Sequence, residues 1–527
     1  MGGRISTEEL PRDEEAEENT SSVQVDELIQ SIKSQLLVLP KLTTESASCS
    51  IFRAPQVFTD SDVNDRSFQP RTVPVDIEET IQPIQAEVDA DKLMQLMQSK
   101  LPESAKDISK SAGRDNCCIF RVPQGFTDSQ VNCGSYHPRR VSIGPYHRGK
   151  PHLKAIEEHK WRFLARVIKR TSEGKGVGLK DYVEVVKRLE ADARESYSED
   201  TSITNLKGYE FVEMLVLDGC FVIEMFRAFS NVVPFEKDDP FSSMQFLRDD
   251  FLCLENQIPY IVLQTLFTLT EMESDRLPSG SYPTLFVTAL YFFRISDDFR
   301  RDPEVMGEVL HLLDLVRKTY FPDRQRVPGS ESGTKKPPNS SDGPANIQCI
   351  SKLRRAGIKL KADYNMRGTL WVRFKRGVIW MPELKDTMRA FLLNCVAFEQ
   401  SHMVKDKLVS AYVVFLDSLI DTTEDVDILC EAKVLNIYLA TQREVATFVD
   451  NLGKAAAVDF DIRKSYLKEV YADINKHLHN SCNIYLAEVK AKYFSSPWTA
   501  MSLFAAFYLL VLATAQTVFG ILEYKKG

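Results

Sequence analysis

From Trp498 to Leu522 the chain reads WTAMSLFAAFYLLVLATAQTVFGIL, 25 residues without a charged side chain. As an α-helix such a stretch is about 37 Å long, enough to cross a hydrocarbon layer of about 30 Å with some tilt. A core helix of a soluble protein rarely runs this far without a charge, so the pattern predicts one C-terminal membrane span over 498–522. Trp498 and Tyr524 stand at the two ends, where aromatics settle at a membrane interface, and Phe504, Phe507, Leu510, Phe519 and Leu522 supply apolar bulk between them. Lys490 and Lys492 precede the span and Lys525 and Lys526 follow it, so flanking charge leaves the orientation open.

The N-terminus, MGGRISTEEL, has no apolar stretch of the kind a secretory signal needs. The tail is then the insertion signal. The expected plan is a single-pass C-terminal anchor with the bulk in the cytosol, at the plasma membrane or an endomembrane. Ten cysteines, none in CxxC spacing, agree with reduced thiols there. The first residues also match M-G-x-x-x-[ST], which makes Gly2 a candidate lipidation site with Ser6 in place. The acids that follow, from Glu8 to Glu18, would be repelled by an anionic leaflet and favour a plain acidic tail. With 74 acidic against 66 basic side chains the net charge is −8, which argues against nucleic acid as a partner.

The chain repeats itself once. CSIFRAPQVFTDSDVNDRSFQPRTV from Cys49 aligns without gaps on CCIFRVPQGFTDSQVNCGSYHPRRV from Cys117, with 16 identities in 25 positions. A helical preface repeats too, DELIQSIKSQL from Asp26 and DKLMQLMQSKL from Asp91. Only the second copy continues into VSIGPYHRGKPHL and the rest of the chain, so the first reads as an appendage. Two copies fall short of a solenoid. The expected organisation is an acidic, partly disordered extension over 1–115, a helical core in two halves, 116–322 and 347–494, a linker rich in Pro, Gly and Ser over 323–346, and the span at 498–522.

Further motifs follow in order: IFRVP from Ile119, YHPRRVSIGPYHRGKPHL, EEHKWRFL, EMLVLDGCFVIEMF, FLCLENQIPYIVLQ, FKRGVIWMPEL, FLLNCVAFEQ and the tail itself. Together they closely resemble the plant-specific family called domain of unknown function 247, from about Cys117 to Leu522. The resemblance implies a plant protein, largely helical, with a C-terminal anchor and no established enzymatic activity. Some grass members of that family look like pollen-side determinants of self-incompatibility, which are thought to recognise small secreted stigma proteins. The duplicated acidic extension departs from the family pattern and leaves its own role open.

Periodicity supports helices independently. Trp161, Leu164 and Ile168 share one face of EEHKWRFLARVIKR, with Lys160, Arg162, Arg166, Lys169 and Arg170 on the others, and Tyr182, Val183, Val186 and Leu189 repeat the spacing. Phe211 to Phe229 is apolar almost all round and should be a central core helix. TLWVRFKRGVIWMPEL places two β-rich runs about a turn at Lys375–Gly377, a predicted hairpin. The fold class is therefore mainly α, a multi-helix globular domain with one small β-hairpin and a single C-terminal transmembrane helix.

Candidate chemistry is sparse. His137, His147, His152 and His159 are spaced by 10, 5 and 7 residues, which fits no zinc signature, so no metal and no cofactor are expected. Glu213, Asp218, Glu224, Glu255, Asn256 and Gln257 interrupt apolar runs and are expected to form a structural polar network rather than a catalytic set. Lys352 to Arg376 is strongly basic. In it Arg354, Arg355, Lys359, Lys361, Arg373, Lys375 and Arg376 form a candidate patch for an anionic partner, with Trp371, Arg373 and Lys375 on one exposed hairpin face and Val372 and Phe374 on the other. The expected function is a membrane-anchored, non-enzymatic plant recognition or signalling protein, in line with a pollen-side self-incompatibility determinant. Its partners would be the membrane and another protein, for which a small secreted protein is the model. The competing readings are a tether or scaffold, and an enzyme using Glu213, Asp218, Glu224 and Glu255 with the His147 loop.

Overall fold

A computed structural model describes residues 26–36, 117–198, 201–321, 347–480 and 497–526, with internal breaks at 128–132, 236–246, 296–307 and a few shorter points. Gly2, the second helical preface at 91–101 and the linker expected over 323–346 lie outside the described residues. The chain divides into one unit of residues 1–38 with 116–527 and another of residues 39–115. In chain order the principal elements of the first unit are α1 (residues 26–36), α2 (Lys154–Lys175), α3 (Leu179–Arg188), α4 (Gly208–Phe229), α5 (Tyr260–Thr270), α6 (Leu285–Phe293), α7 (Leu312–Thr319) and α8 (Ile350–Arg355). Next come β1 (Lys359–Ala362), β2 (Arg373–Lys375), β3 (Val378–Met381), β4 (Leu384–Lys385), α9 (Arg389–Ser401), α10 (Leu408–Leu419), α11 (Thr423–Glu431) and β5 (Leu435–Asn436). The last are α12 (Gln442–Ala456), α13 (Lys468–His479) and α14 (Pro497–Lys526). The protein is mainly helical, as the periodicity predicts.

At the centre lies α4, whose all-round apolar sequence buries every residue from Met214 to Ala228. Glu210 starts it by accepting the Lys207 N–H at 3.1 Å. Helices α2, α3, α5 and α6 pack around α4, each contributing one apolar face. For α3 that face is Leu179, Tyr182, Val183 and Val186, at the predicted spacing. Gly219 lets Leu266 of α5 sit against the α4 backbone. Each large aliphatic or aromatic side chain buried here is worth about 1.5–3 kcal/mol.

The α2 face differs from its prediction. Ile156, Lys160, Phe163, Leu164, Val167 and Thr171 point inward, while Trp161 and Ile168 are half-buried flanks. Lys160, expected on a face other than the apolar one, is fully buried, with Asp218 of α4 opposite it.

The second half packs α9, α10 and α12 together, with Gly453 of α12 allowing the close approach of Asp417 on α10. The predicted hairpin is present as β2 and β3, antiparallel, with Arg376 (φ 53°) and Gly377 (φ 73°) in the left-handed region that a tight hairpin turn requires. Two features exceed the prediction. Strand β1 runs parallel to β3 and completes a sheet of order β1–β3–β2, and β4 pairs with β5 in a second small parallel sheet. Trp371 also departs from it, lying buried with its ring 4.6 Å from Tyr466 rather than on an exposed face.

The N-terminal extension contributes to the core. Helix α1 buries Leu28, Ile29 and Ile32, and its Glu27, Leu28 and Ser31 line a groove with Val183, Lys187, Tyr209 and Val212. At the other end α14 is one 30-residue helix. Within it Met501–Leu522, 22 residues of mean hydropathy 1.9, is long and apolar enough to cross a membrane and has no buried residue.

Candidate functional site

Residues 139–147 cross the interior as an irregular strap, with Val141, Ile143, Tyr146 and His147 buried. Buried backbone outside helices and strands must find other partners for its N–H groups. Here carboxylates and amides from α4 and from residues 250–257 supply them. Asp250 accepts from the N–H of Arg139 at 2.9 Å, Arg140 at 2.7 Å and Val141 at 2.9 Å. Asn256 accepts from Ile143 N–H at 2.7 Å and donates to the Val141 and Asp250 carbonyls. Asp218 accepts from Gly144 N–H at 2.8 Å and from Lys160 Nζ at 2.7 Å. Burial pushes the Asp218 carboxyl up, against the pull of Lys160. Gly144 itself has φ 77°, and a Cβ there would collide with the Gln257 carbonyl. Gln257 donates to the Phe251 and Cys253 carbonyls and accepts from Leu313 N–H, tying the strap's support to α7.

Glu255 joins the end of the strap, at His147, to residues 121 and 122. Its carboxylate accepts from Val122 N–H at 2.8 Å and from Arg121 Nη1 at 3.2 Å, and lies 3.1 Å from His147 Nε2. Burial acts to raise its pKa, but the hydrogen bonds from His147 and the Val122 N–H, with the Arg121 cation, outweigh it and hold the carboxyl below its usual value. Burial lowers the His147 pKa, so the imidazole is neutral at pH 7 and its Nδ1 faces Lys150 Nζ at 2.7 Å. Glu224 on α4 is clamped by Arg170 at 2.6 Å and Arg227 at 2.9 Å, which overcome the opposing effect of burial and keep it ionised. Glu213, three turns earlier, pairs instead with Arg148 at 3.2 Å, and burial raises its pKa. The six polar residues singled out in the sequence are thus all bonded to backbone, amide or cationic partners, although Glu213 and Glu224 serve different ones.

Sequence reasoning missed equal partners in the second half. Glu399 accepts from the Val409 and Ser410 N–H groups at the start of α10 and from Arg317 at 3.1 Å, linking α7 to α9 and α10. Asn394 of α9 accepts from Leu254 N–H at 2.8 Å and donates to the Ser135 carbonyl. The signal was available in FLLNCVAFEQ, where Asn and Glu interrupt an apolar helix as the acids of α4 do.

Among the described residues His137, His147 and Glu255 bring potential metal-ligand atoms within 4.8 Å of one another. Arg121 pairs with Glu255 and Lys150 lies against His147 Nδ1, so the carboxylate already has a cationic partner and a divalent cation here would sit near two positive charges. His152 lies 3.4 Å from the Pro138 carbonyl.

The basic candidates spread over three elements. Arg354 and Arg355 end α8, and Arg354 pairs with Glu431 of α11 at 3.2 Å. Lys359 and Lys361 project from β1 and are exposed, as are Lys375 and Arg376 at the hairpin turn. Arg373 pairs with Asp363, so its charge is spent within the fold. The apolar residues of the tail, from Trp498 through Phe504, Phe507, Leu510 and Phe519 to Leu522, all stand exposed on α14.

Comparison with known proteins places this architecture among plant sequences. A UPF0481 protein of Arabidopsis thaliana is 32% identical over 443 residues, spanning 79% of this chain and 90% of the relative. A putative UPF0481 protein of the same plant is 23% identical over 488 residues, spanning 76% and 89%. No solved structure matches. The model of a family described as plant protein of unknown function, domain of unknown function 247, matches residues 119–512, and on that extent the chain belongs to this family.

Proposed function

We propose that the protein is a membrane-anchored, non-catalytic recognition protein whose anchor is α14. The observation that carries this reading is the exposed, uncharged Met501–Leu522 segment, whose apolar surface needs lipid or another apolar cover. The non-catalytic part is supported by the acids of the strap region, which are bonded to backbone N–H groups or to Arg and Lys. Truncation before Pro497 tests the anchor. The shortened chain should move to the soluble fraction, and its retention on membranes after a carbonate wash would overturn the reading.

The finer reading is recognition of a protein partner in the manner of a pollen-side self-incompatibility determinant. Sidedness decides what such a domain can meet. A cytosolic bulk is supported by the seven cysteines whose side chains are described, all free thiols and five of them buried. Asn339-Ser340-Ser341 is a glycosylation sequon and serves as a reporter. A cytosolic bulk leaves it unmodified. A glycosidase-sensitive mass shift that disappears in Asn339→Gln would reverse the orientation and place the domain where secreted ligands reach it.

A further inference from the structure

The β1–β3–β2 register sorts the sheet into two faces. Lys359, Val378 and Lys375 lie in one row across the strands, and Lys361, Trp380 and Arg373 lie in a second. Residues paired in register project to the same side, so these six share one face. The intervening row, Leu360, Ile379 and Phe374, belongs to the other face, where Ile379 is fully buried. The outer face is therefore a half-exposed indole and a valine bracketed by cations. Lys361 Nζ lies 5.5 Å from the centre of the Trp380 ring, and Arg376 extends the charge beyond the turn. Asp363 balances Arg373. Among the described residues no acid pairs with Lys359, Lys361, Lys375 or Arg376.

Its place in the chain matters as much as its charge. Helix α13 lies along β2, with the His477 ring 5.7 Å from Phe374 and close against Gly377 of the turn. That helix ends at His479, and α14 begins at Pro497. The chain thus departs toward α14 from beside this sheet, with residues 480–496 between, a stretch that reaches about 60 Å at full extension. Lys490 and Lys492 lie in that stretch.

We propose that the outer face of this sheet is a headgroup-binding surface that lies on the anionic leaflet of the membrane holding α14. The inference rests on the anchored reading above. Lysine near an anionic leaflet is held by the negative surface potential, and tryptophan is an aromatic suited to the headgroup level. Alone, four such cations bind weakly. Tethered by a nearby span, the face meets the leaflet at high effective concentration and orients the helical domain on it.

The test reconstitutes the full chain into phosphatidylcholine vesicles with or without phosphatidylserine, each carrying a lipid with a nitroxide quencher close to the headgroup. The difference in tryptophan quenching between the unaltered chain and Trp380→Phe isolates Trp380 from Trp161, Trp371 and Trp498. That difference should be roughly twofold or more greater with phosphatidylserine and should collapse at high salt. It should also collapse in the Lys359→Glu/Lys361→Glu/Lys375→Glu chain and, should that variant misfold, in the milder triple Gln variant. Equal Trp380 quenching with and without phosphatidylserine overturns the proposal and leaves the face to an acidic protein. Retention of the protein on the vesicles after carbonate washing reports the anchor separately, so failure of the anchor is distinguishable from failure of the face.

Discussion

Lys160 and Asp218 are buried opposite one another between α2 and α4, and each makes the other tolerable. Removing Asp218 leaves Lys160 with Glu157, at 2.7 Å, as its remaining carboxylate and strips the Gly144 N–H of its acceptor, a loss at the lower end of the about 3–5 kcal/mol typical of a broken buried pair. Asp218→Ala should therefore lose about that much in chemical unfolding. Lys160→Met/Asp218→Asn should recover most of it, because Asn still accepts the Gly144 N–H. A double variant as unstable as the single one would contradict this account. Asp417 illustrates the opposite sign. Burial, with Asp450 nearby, pushes its carboxyl from 3.8 up to about 6. Between those values the folded chain holds more protons than the unfolded one, so stability falls as pH rises through the window, and the penalty is complete above about pH 6. Asp417 is half exposed, so after solvent screening Asp417→Asn should stabilise the protein by about 1 kcal/mol at pH 7. Below pH 4 the gain should vanish, which unfolding midpoints measured across pH would show.

Among the elements, the strap over 139–147 depends most on context. It has no periodicity, and its N–H groups are met by Asp218, Asp250 and Asn256 from residues 70 or more positions away. Gly144→Ala should destabilise by about 3 kcal/mol, since it combines left-handed backbone with a collision at Gln257. Tyrosine and tryptophan near-ultraviolet dichroism should weaken with it, because Tyr146 packs on Tyr197 beneath the strap. A variant with unchanged stability would mean that the strap can slide past Gln257. Helices α3 and α4 were legible in advance because a 3.6-residue apolar period, or an unbroken apolar run, is a local property. Strand β1 was not, since KLKA alternates for only four residues and becomes a strand by pairing with β3.

Across the whole molecule, Arg317 of α7 bridges Asp314 and Glu399, and Asn394 of α9 accepts from Leu254 N–H, so the two halves flanking residues 323–346 share one core. Cleavage within 323–346 should leave the fragments associated through size-exclusion chromatography, and the nicked chain should still unfold in one transition. Separate elution of the halves would show that the shared core contributes less than the connection. Arg317→Met should loosen that association more than a change of an exposed pair such as Lys454 with Asp450.

From sequence alone came the helical class, the duplicated unit, the uncharged tail and the positions where acids and amides interrupt apolar runs, because periodicity, repetition, length without charge and polar interruptions are written along the chain itself. The tertiary structure decided which partner each polar group meets. It buried Lys160 and Trp371, neutralised Arg373 through Asp363, set Arg121 and Lys150 against the histidine cluster and brought Lys359 and Lys361 beside Trp380 and Lys375. It also drew residues 26–36 into the core, although they precede the strap by more than 80 positions. The physical reason is common to all of these. Charge balance and desolvation depend on atoms brought within a few ångströms by folding, and no spacing along the sequence encodes that distance.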